Sequence, residues 1–389
     1  MSKKSIRAKR VSNYELFFDL SLVLAIGQLT GAMHLEEITV SSILAFVISN
    51  MTLLMVWVNE VFYYEKYGDS RRIDIFTVIA LMFFLGNMAL NFRMDFTSLY
   101  AGSPIVVSFN LLLIASYGVI ALQYFLKGRV LGFNRDMKVN MGLMGIYILS
   151  LLPAVLGWLD IGLLSLAIYL LPIILPRFAN HFFYKGVETK TNFPHAVERS
   201  QLVTILTFGE TVIAIISNYP ITENLYQGAL LFLGMALMFM FYMNQTFLAI
   251  DHHRPVNVSL LFYSHILIFV GINFFTVGVE FLADHHHAET GFYMFLIGVP
   301  LFYIGTLFTT IYNHELYRMR PEYFVVFALG LALFIGASLL IGAHVLYLSL
   351  LLIAFFWTMS RYYMKLRRKI RENQNIPHPD PTQNHRDFA

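Results

Sequence analysis

Twelve long apolar runs divide this chain, and they constrain its fold more than any other feature. Each run has close to the roughly 20 residues that a helix needs to cross the hydrocarbon core of a bilayer. A backbone in lipid must satisfy its own hydrogen bonds, so each run is expected to be helical. The runs cover about residues 14–34, 38–64, 73–91, 104–126, 139–158, 160–177, 200–218, 225–250, 257–283, 291–312, 322–341 and 343–363. The sequence therefore predicts an all-α, polytopic transmembrane helix bundle of about 12 helices.

Composition excludes the main alternative, a large soluble protein. The chain is 57% hydrophobic and 13% charged, whereas soluble chains carry about 25% charged residues. The net charge of +3 gives no reason to expect a nucleic-acid partner, and the lipid bilayer is the predicted partner. The chain has no cysteine, which excludes disulfides, thiol nucleophiles and cysteine metal sites.

The basic residues predict the orientation of the helices. When the twelve runs are drawn as spans, all of the 27 lysines and arginines except Arg93 fall on the side of the N-terminus. The positive-inside rule then places both termini in the cytoplasm. The first run lacks the cleavage site of a signal peptide, so it is expected to remain as a span.

A weak internal repeat suggests two halves. A shift of 185 residues aligns Asn59 with Asn244, and a further gap of about six aligns Asp19 with Glu210. Apolar sequences also align by chance, so chance similarity is the alternative. Six helices per half would give two parallel repeats, as in some transporters. The predicted segments are an N-terminal six-helix repeat (1–177), a cytoplasmic linker (178–199), a C-terminal six-helix repeat (200–371) and a disordered cytoplasmic tail (372–389).

Carboxylates inside the runs are candidates for function, because charge is costly in lipid and usually marks a polar interior or pathway. Glu15 and Asp19 lie one turn apart on one helix face, although a structural ion pair with a basic residue of a neighbouring helix end would also explain them. Glu210 lies twelve residues after Glu198, about 18 Å along a helix and near mid-membrane. It needs a partner, a proton or an ion; a protonated carboxyl that links helices is the alternative.

The ninth run carries a polar stripe. His265, Asn273, Thr276 and Glu280 fall on one helix face, as expected for a proton relay or a hydrated cavity. Polar contacts that join helices are the alternative. Helices 4–6 look nearly free of polar residues, and Pro172 and Pro176 predict kinks or breaks in the sixth. The candidates for transport or proton relay are Glu15, Asp19, Glu210, His265, Asn273 and Glu280.

Two histidine clusters, at 284–287 and 251–253, are weak indications of metal binding, because they lack the spacing of a helical ligand pair. Solvated loops explain them better. No nucleotide-binding or nucleophile motif is present, so no metal, no cofactor and no catalytic residue is predicted.

The segments RVSNYELFFDLSLVLAIGQLTGAM (10–33) and ERSQLVTILTFGETVIAI (198–215) resemble two signatures of the bacterial low temperature requirement A (LtrA) family. The resemblance implies an integral membrane protein of the bacterial cell (plasma) membrane, linked by name to growth in the cold, and it assigns no activity. The positions that match the family signatures are Glu15, Phe17, Phe18, Asp19, Glu198, Arg199, Gly209 and Glu210.

Three functions are compatible with these features. The leading hypothesis is a transporter or channel for a small solute or ion, with proton coupling as one form of it. The second is a membrane enzyme that acts on a lipid or lipid-linked substrate near the cytoplasmic face, and the third is an accessory or cold-sensing protein. The depth of the polar residues in the membrane distinguishes the first two hypotheses. Polar residues along a continuous route favour transport, and polar residues clustered at one depth favour an enzyme. The sequence does not indicate the solute or the oligomeric state.

Overall fold

The computed structural model describes residues 9–95, 100–159, 163–182, 191–252 and 256–376. The described residues form thirteen α-helices and no strand, which confirms the predicted all-α bundle. The residues before Lys9, part of the predicted linker, His253 and most of the predicted tail lie outside the described residues. The helices are α1 (Asn13–Gly31), α2 (Val40–Lys66), α3 (Arg72–Ala89), α4 (Pro104–Leu131), α5 (Arg135–Val155), α6 (Leu163–Tyr169), α7 (Leu171–Phe182), α8 (Phe193–Asn218), α9 (Ile221–Thr246), α10 (Ser259–Ala283), α11 (Ala288–Phe308), α12 (Pro321–Ile341) and α13 (Val345–Asn373).

Ten of the described helices are long and apolar enough to cross a membrane, which makes the chain a multi-pass membrane protein. The sixth apolar run forms two short helices, α6 and α7, on either side of Leu170. Pro172 lies in the first turn of α7, where its missing N–H is tolerated. The same proline prevents α6 from continuing as one helix, because its ring clashes with the preceding turn. The sixth run is therefore broken beside Pro172, one of the two prolines that predicted a kink or break there.

The chain folds into two compact units, Lys9–Arg199 and a second unit whose described part begins at Ser200. We call them the N-terminal unit and the C-terminal unit. In the N-terminal unit, α3 packs against both α1 and α4, and α4 packs against α5. In the C-terminal unit, α10 pairs with α11, and α13 packs against α9 and α12. Helix α8 begins at Phe193, so the last seven residues of the predicted linker are helical.

Glycines hold α10 and α11 in direct backbone contact. A Cβ atom at Gly271 would lie 2.5 Å from the backbone nitrogen of Phe302, and one at Gly298 would lie 2.5 Å from that of Phe275. Any side chain at these positions would push the helices apart. Small residues commonly allow such close approach in membranes, where helix packing replaces the hydrophobic driving force. Glycines in this contact recur every seven residues on each helix, at Gly271 and Gly278 on α10 and at Gly291, Gly298 and Gly305 on α11.

Candidate functional site

A buried ion pair anchors the first candidate site, in the N-terminal unit. The Arg199 guanidinium donates from Nη2 to Oδ1 of Asp19 at 2.8 Å, and the Trp57 indole donates to the same oxygen at 3.0 Å. Arg199 also lies over the Trp57 ring, 5.7 Å from its centroid. All three side chains are buried. Asp19 therefore forms an ion pair with a basic residue of another helix, which is the alternative interpretation that the sequence left open.

A second acid–base contact lies one helical turn away. Oε1 of Glu15 is 2.9 Å from Nε2 of His195, and both side chains are buried. The other oxygen, Oε2, accepts a hydrogen bond from the backbone N–H of Ser12 at 2.7 Å, which caps the start of α1. Glu15 and Asp19 are four residues apart on α1, and His195 and Arg199 are four apart on α8. The two helices thus present matching pairs of acidic and basic groups.

Further buried carboxylates extend this site between α2, α3 and α4. Gln123 donates to Oε1 of Glu60 at 2.9 Å. Asp74 accepts from the Tyr63 hydroxyl at 2.6 Å and from the Lys127 ammonium at 3.2 Å. We call Glu15, Asp19, Glu60 and Asp74, with their partners, the carboxylate cluster.

The carboxylate cluster corrects the prediction that helices 4–6 are nearly free of polar residues. Gln123 and Lys127 both belong to α4 and are both buried. The apolar run appeared to end before Lys127, but α4 continues to Leu131. Asp74 compensates the buried ammonium, which is why a lysine is tolerated there.

Several polar atoms of the carboxylate cluster have no hydrogen-bond partner among the described residues. They include Oδ2 of Asp19, Oε2 of Glu60, and Nε and Nη1 of Arg199. Oε1 of Glu15 and Nε2 of His195 lie 2.9 Å apart but outside hydrogen-bond geometry. A buried polar group without a partner costs free energy. These atoms give the carboxylate cluster spare capacity to bind a proton, water or a small ion.

Asp69 lies at the edge of the carboxylate cluster, in the loop between α2 and α3. The Lys127 ammonium is 2.7 Å from its Oδ1. Burial acts to raise the pKa of the Asp69 carboxyl, but hydrogen bonds with Asp74 and Lys127 and the nearby positive charges outweigh it and lower the pKa to about 2. Asp69 is therefore ionised at neutral pH, and Lys127 keeps a charged partner at the edge of the cluster.

The second candidate site is in the C-terminal unit and begins at His265. Its Nδ1 lies 2.7 Å from the carbonyl oxygen of Leu261, so Nδ1 carries a hydrogen and donates it. In the neutral ring Nε2 then accepts from the Tyr242 hydroxyl, 2.9 Å away. The same hydroxyl lies 3.3 Å from the carbonyl oxygen of Ser200. If the ring gains a proton, Nε2 becomes a donor and Tyr242 can donate to Ser200 instead.

Polar residues continue from His265 along α10 and α8. Thr276 on α10 shares a 2.7 Å hydrogen bond with Thr211 on α8. Glu210 and Glu280, on the same two helices, are both partly buried and interact electrostatically. From His265 to Glu280 the stripe spans fifteen residues, about 22 Å of helix. We call this stripe the polar track; its residues are Tyr242, His265, Asn273, Thr211, Thr276, Glu210 and Glu280.

Three further buried side chains in the C-terminal unit, Gln245, Asn313 and Tyr363, form a contact that joins helices. Gln245 donates to Asn313 at 2.7 Å and accepts from the Tyr363 hydroxyl at 2.6 Å, while Asn313 donates to Tyr363 at 3.1 Å. The three side chains satisfy one another in a closed ring. They join helices α9 and α13 to the segment after α11, as polar side chains often do in membranes.

The remaining predicted positions have simpler environments. Phe18 is fully buried, whereas Phe17 is half-exposed and Glu198 is exposed. Gly209 is exposed, with open space where a Cβ would lie. The loop histidine His287 pairs with Asp284 at 2.8 Å. In the part of the chain that the structure describes, no group of three or more histidine or acidic side chains could hold a metal ion.

Sequence reasoning missed His195, Trp57 and Tyr242. The sequence places His195 in a polar linker, whereas in the structure it lies one turn before Arg199 on α8. The spacing of four to Arg199, equal to that between Glu15 and Asp19, was the signal available. In the sequence, Trp57 and Tyr242 are aromatic residues within apolar runs, with nothing to set them apart. Only the folded chain shows that their polar atoms contact charged or polar partners.

The Asp19–Arg199 pair gives a stability prediction. Replacing Arg199 by Gln leaves the Asp19 carboxylate buried without its cation, and we expect a loss of about 3–5 kcal/mol in the free energy of unfolding. Glu198→Gln, at the exposed neighbouring position, should change it by less than about 0.5 kcal/mol. The measurement is chemical unfolding in detergent micelles. Equal stability of the two variants would contradict the assignment, and a double variant with Asp19→Asn should lose less than the sum of the single changes.

Comparison with known proteins agrees with the sequence signatures. The model of the bacterial low temperature requirement A protein (LtrA) family matches residues 10–359, a range that contains both the carboxylate cluster and the polar track. None of the curated proteins compared with the chain is significantly similar to it. The match covers most of the chain and confirms the resemblance: this protein belongs to the bacterial low temperature requirement A (LtrA) family.

Proposed function

We propose that this LtrA protein moves a small solute or ion across the membrane along the polar track of the C-terminal unit. The observation that carries the proposal is the length of the track, about 22 Å of α10 from His265 to Glu280. That length is most of a hydrocarbon core of about 30 Å. A continuous polar route is the feature that distinguishes transport from chemistry at one depth.

The acidic end of the polar track supports binding of a proton or a cation. Glu210 and Glu280 interact electrostatically, and two carboxylates that are both charged repel each other strongly where the dielectric constant is low. A shared proton or a bound cation removes that repulsion. Contacts that only join helices would not require two interacting acidic residues.

The histidine end of the polar track supports proton coupling. The hydrogen bond from His265 Nδ1 to Leu261 fixes the tautomer and leaves Nε2 as the site that gains a proton. Tyr242 can donate either to that nitrogen or to the Ser200 carbonyl. Protonation of His265 therefore changes a hydrogen bond between α9 and the first half of α8, which is a means of linking proton binding to a change in helix contacts.

A membrane enzyme is the second candidate function, and the carboxylate cluster is the observation that favours it. The cluster gathers where α1 begins, α2 ends, α3 begins and α4 ends, which is one depth of the N-terminal unit. The buried Arg199 could bind an anionic lipid headgroup there. Transport remains the better-supported function because Asp19 and Glu15 are already engaged by Arg199 and His195, which limits their freedom for acid–base catalysis.

We further propose that the protein lies in the bacterial plasma membrane with both termini in the cytoplasm. The support is the distribution of lysine and arginine across the predicted spans. The natural chain has no cysteine, so single cysteines can report orientation. Glu37→Cys, before α2, should react with a membrane-impermeant maleimide in intact cells, and Arg135→Cys, at the start of α5, should react only after permeabilisation. The opposite pattern would overturn the orientation.

The transport proposal predicts that Glu210→Gln abolishes flux. The substitution removes the charge and the titratable proton but keeps the shape of the side chain. Purified wild-type protein in liposomes should carry protons or a common cation, measured with a pH-sensitive dye or an ion-selective electrode. The flux through the variant should be at most about one tenth of the wild-type flux, because an ionisable group on the pathway has been removed.

Glu289→Gln is the matched control, because Glu289 is an exposed acidic residue outside the polar track. It should leave flux unchanged, and both variants should insert and unfold as the wild type does. Normal flux in Glu210→Gln would rule out the proposed route. Absence of flux in the wild type with every common cation would redirect the search to organic solutes and to lipid turnover.

A further inference from the structure

A cavity lies in the N-terminal unit, apart from the carboxylate cluster. It is formed where α2 and α4 begin and where α3 and α5 end, with α6 beside it. Its volume is about 710 Å³, part of which is open to the surroundings. Ile48 in its wall lies twelve residues before Glu60 on α2, about 18 Å along the helix. The cavity and the carboxylate cluster therefore occupy opposite ends of the unit.

The wall of the cavity is mainly apolar. Ile48, Phe109 and Leu166 contribute from α2, α4 and α6. The buried Asn110 also lines it, but its polar atoms are already satisfied: Oδ1 accepts from the Tyr169 hydroxyl at 2.9 Å, and Nδ2 donates to the carbonyl oxygen of Val106 at 2.8 Å. Thr52 and Asn91, also in the wall, donate to the carbonyl oxygens of Ile48 and Asn87 at 2.8 and 2.9 Å. With these hydrogen bonds made, the wall favours an apolar occupant rather than a sugar or an inorganic ion.

One cation lines the same cavity. Arg93, in the segment after α3, donates from Nη1 to the carbonyl oxygens of Phe92 at 2.7 Å and Leu90 at 3.4 Å. These bonds fix the guanidinium against the end of α3. Among the described residues the Arg93 guanidinium contacts backbone carbonyl oxygens and no carboxylate, and its side chain is exposed. Its other N–H groups are available to an anion, and the planar guanidinium matches a carboxylate in a two-point contact.

We propose that this cavity binds an amphipathic organic anion, a carboxylate with an apolar body. The apolar body lies against Ile48, Phe109 and Leu166, and the carboxylate lies on Arg93. The combination of an apolar wall with one fixed cation is what distinguishes this class of ligand from a neutral lipid. The cavity shares no lining residue with the polar track, so the proposal does not depend on the transport mechanism.

The first test is calorimetric titration of the whole protein in nanodiscs of zwitterionic lipid, with empty nanodiscs as the blank. Octanoate should bind saturably, and the neutral octanol should bind about tenfold more weakly, because a charge-assisted contact to Arg93 contributes only to the anion. Arg93→Gln should weaken octanoate binding about tenfold and remove the preference over octanol. Arg135→Gln, which removes an exposed arginine elsewhere, should leave both affinities unchanged.

A second variant tests the cavity itself. Ala154 lines it and is buried on α5, so Ala154→Phe should fill the space and abolish binding of both ligands.

Oleate placed in the nanodisc bilayer distinguishes the source of the anion. If oleate competes with octanoate, the ligand is taken from the membrane; if oleate does not compete, the ligand is taken from solution. Equal affinity for octanoate and octanol, or octanoate binding that Arg93→Gln leaves unchanged, would overturn the proposal. Because Arg93 is exposed, that variant is expected to fold normally.

Discussion

The high cost of charge inside an apolar environment governs the arrangement of polar residues in this protein. An ionised side chain in lipid or in a dry helix bundle must find a partner, a proton or water. The N-terminal unit meets that requirement mainly with opposite charges, and Asp19 with Arg199 is the clearest case. The C-terminal unit meets it mainly with neutral hydrogen bonds, such as those of His265 and Thr276.

This difference supports different proposed roles for the two sets of polar residues. Paired charges are held in place by strong attraction, and breaking them is costly, so the carboxylate cluster is suited to holding helix ends together or to fixing an anionic group. Hydroxyl and imidazole groups exchange partners at low cost. The polar track, with Tyr242 able to donate to either His265 or Ser200, is therefore better suited to repeated cycles of proton binding and release.

Sequence reasoning recovered the helices because the length of an apolar run follows directly from bilayer thickness. It did not recover contacts between distant segments. His195 was invisible as a partner for Glu15, since nothing local links two residues that lie so far apart in the chain. The glycines of α10 and α11 are a sequence signal of another kind. Their spacing of seven, as in Gly271 and Gly278, places them on one helix face, and this pattern alone predicts a face that can pack closely against another helix.

The most direct test of transport through the C-terminal unit is whether water reaches the middle of the polar track. Thr276→Cys places a thiol on the track, and Val277→Cys places one at the next position of α10, which is equally buried. The reagent is a small, water-soluble methanethiosulfonate applied to protein in liposomes. We predict that the cysteine at position 276 reacts at least about tenfold faster than the one at position 277, because only a hydrated track exposes the thiol to water. Equal, slow reaction at both positions would contradict the transport route, because the polar track would then be a dry contact between helices.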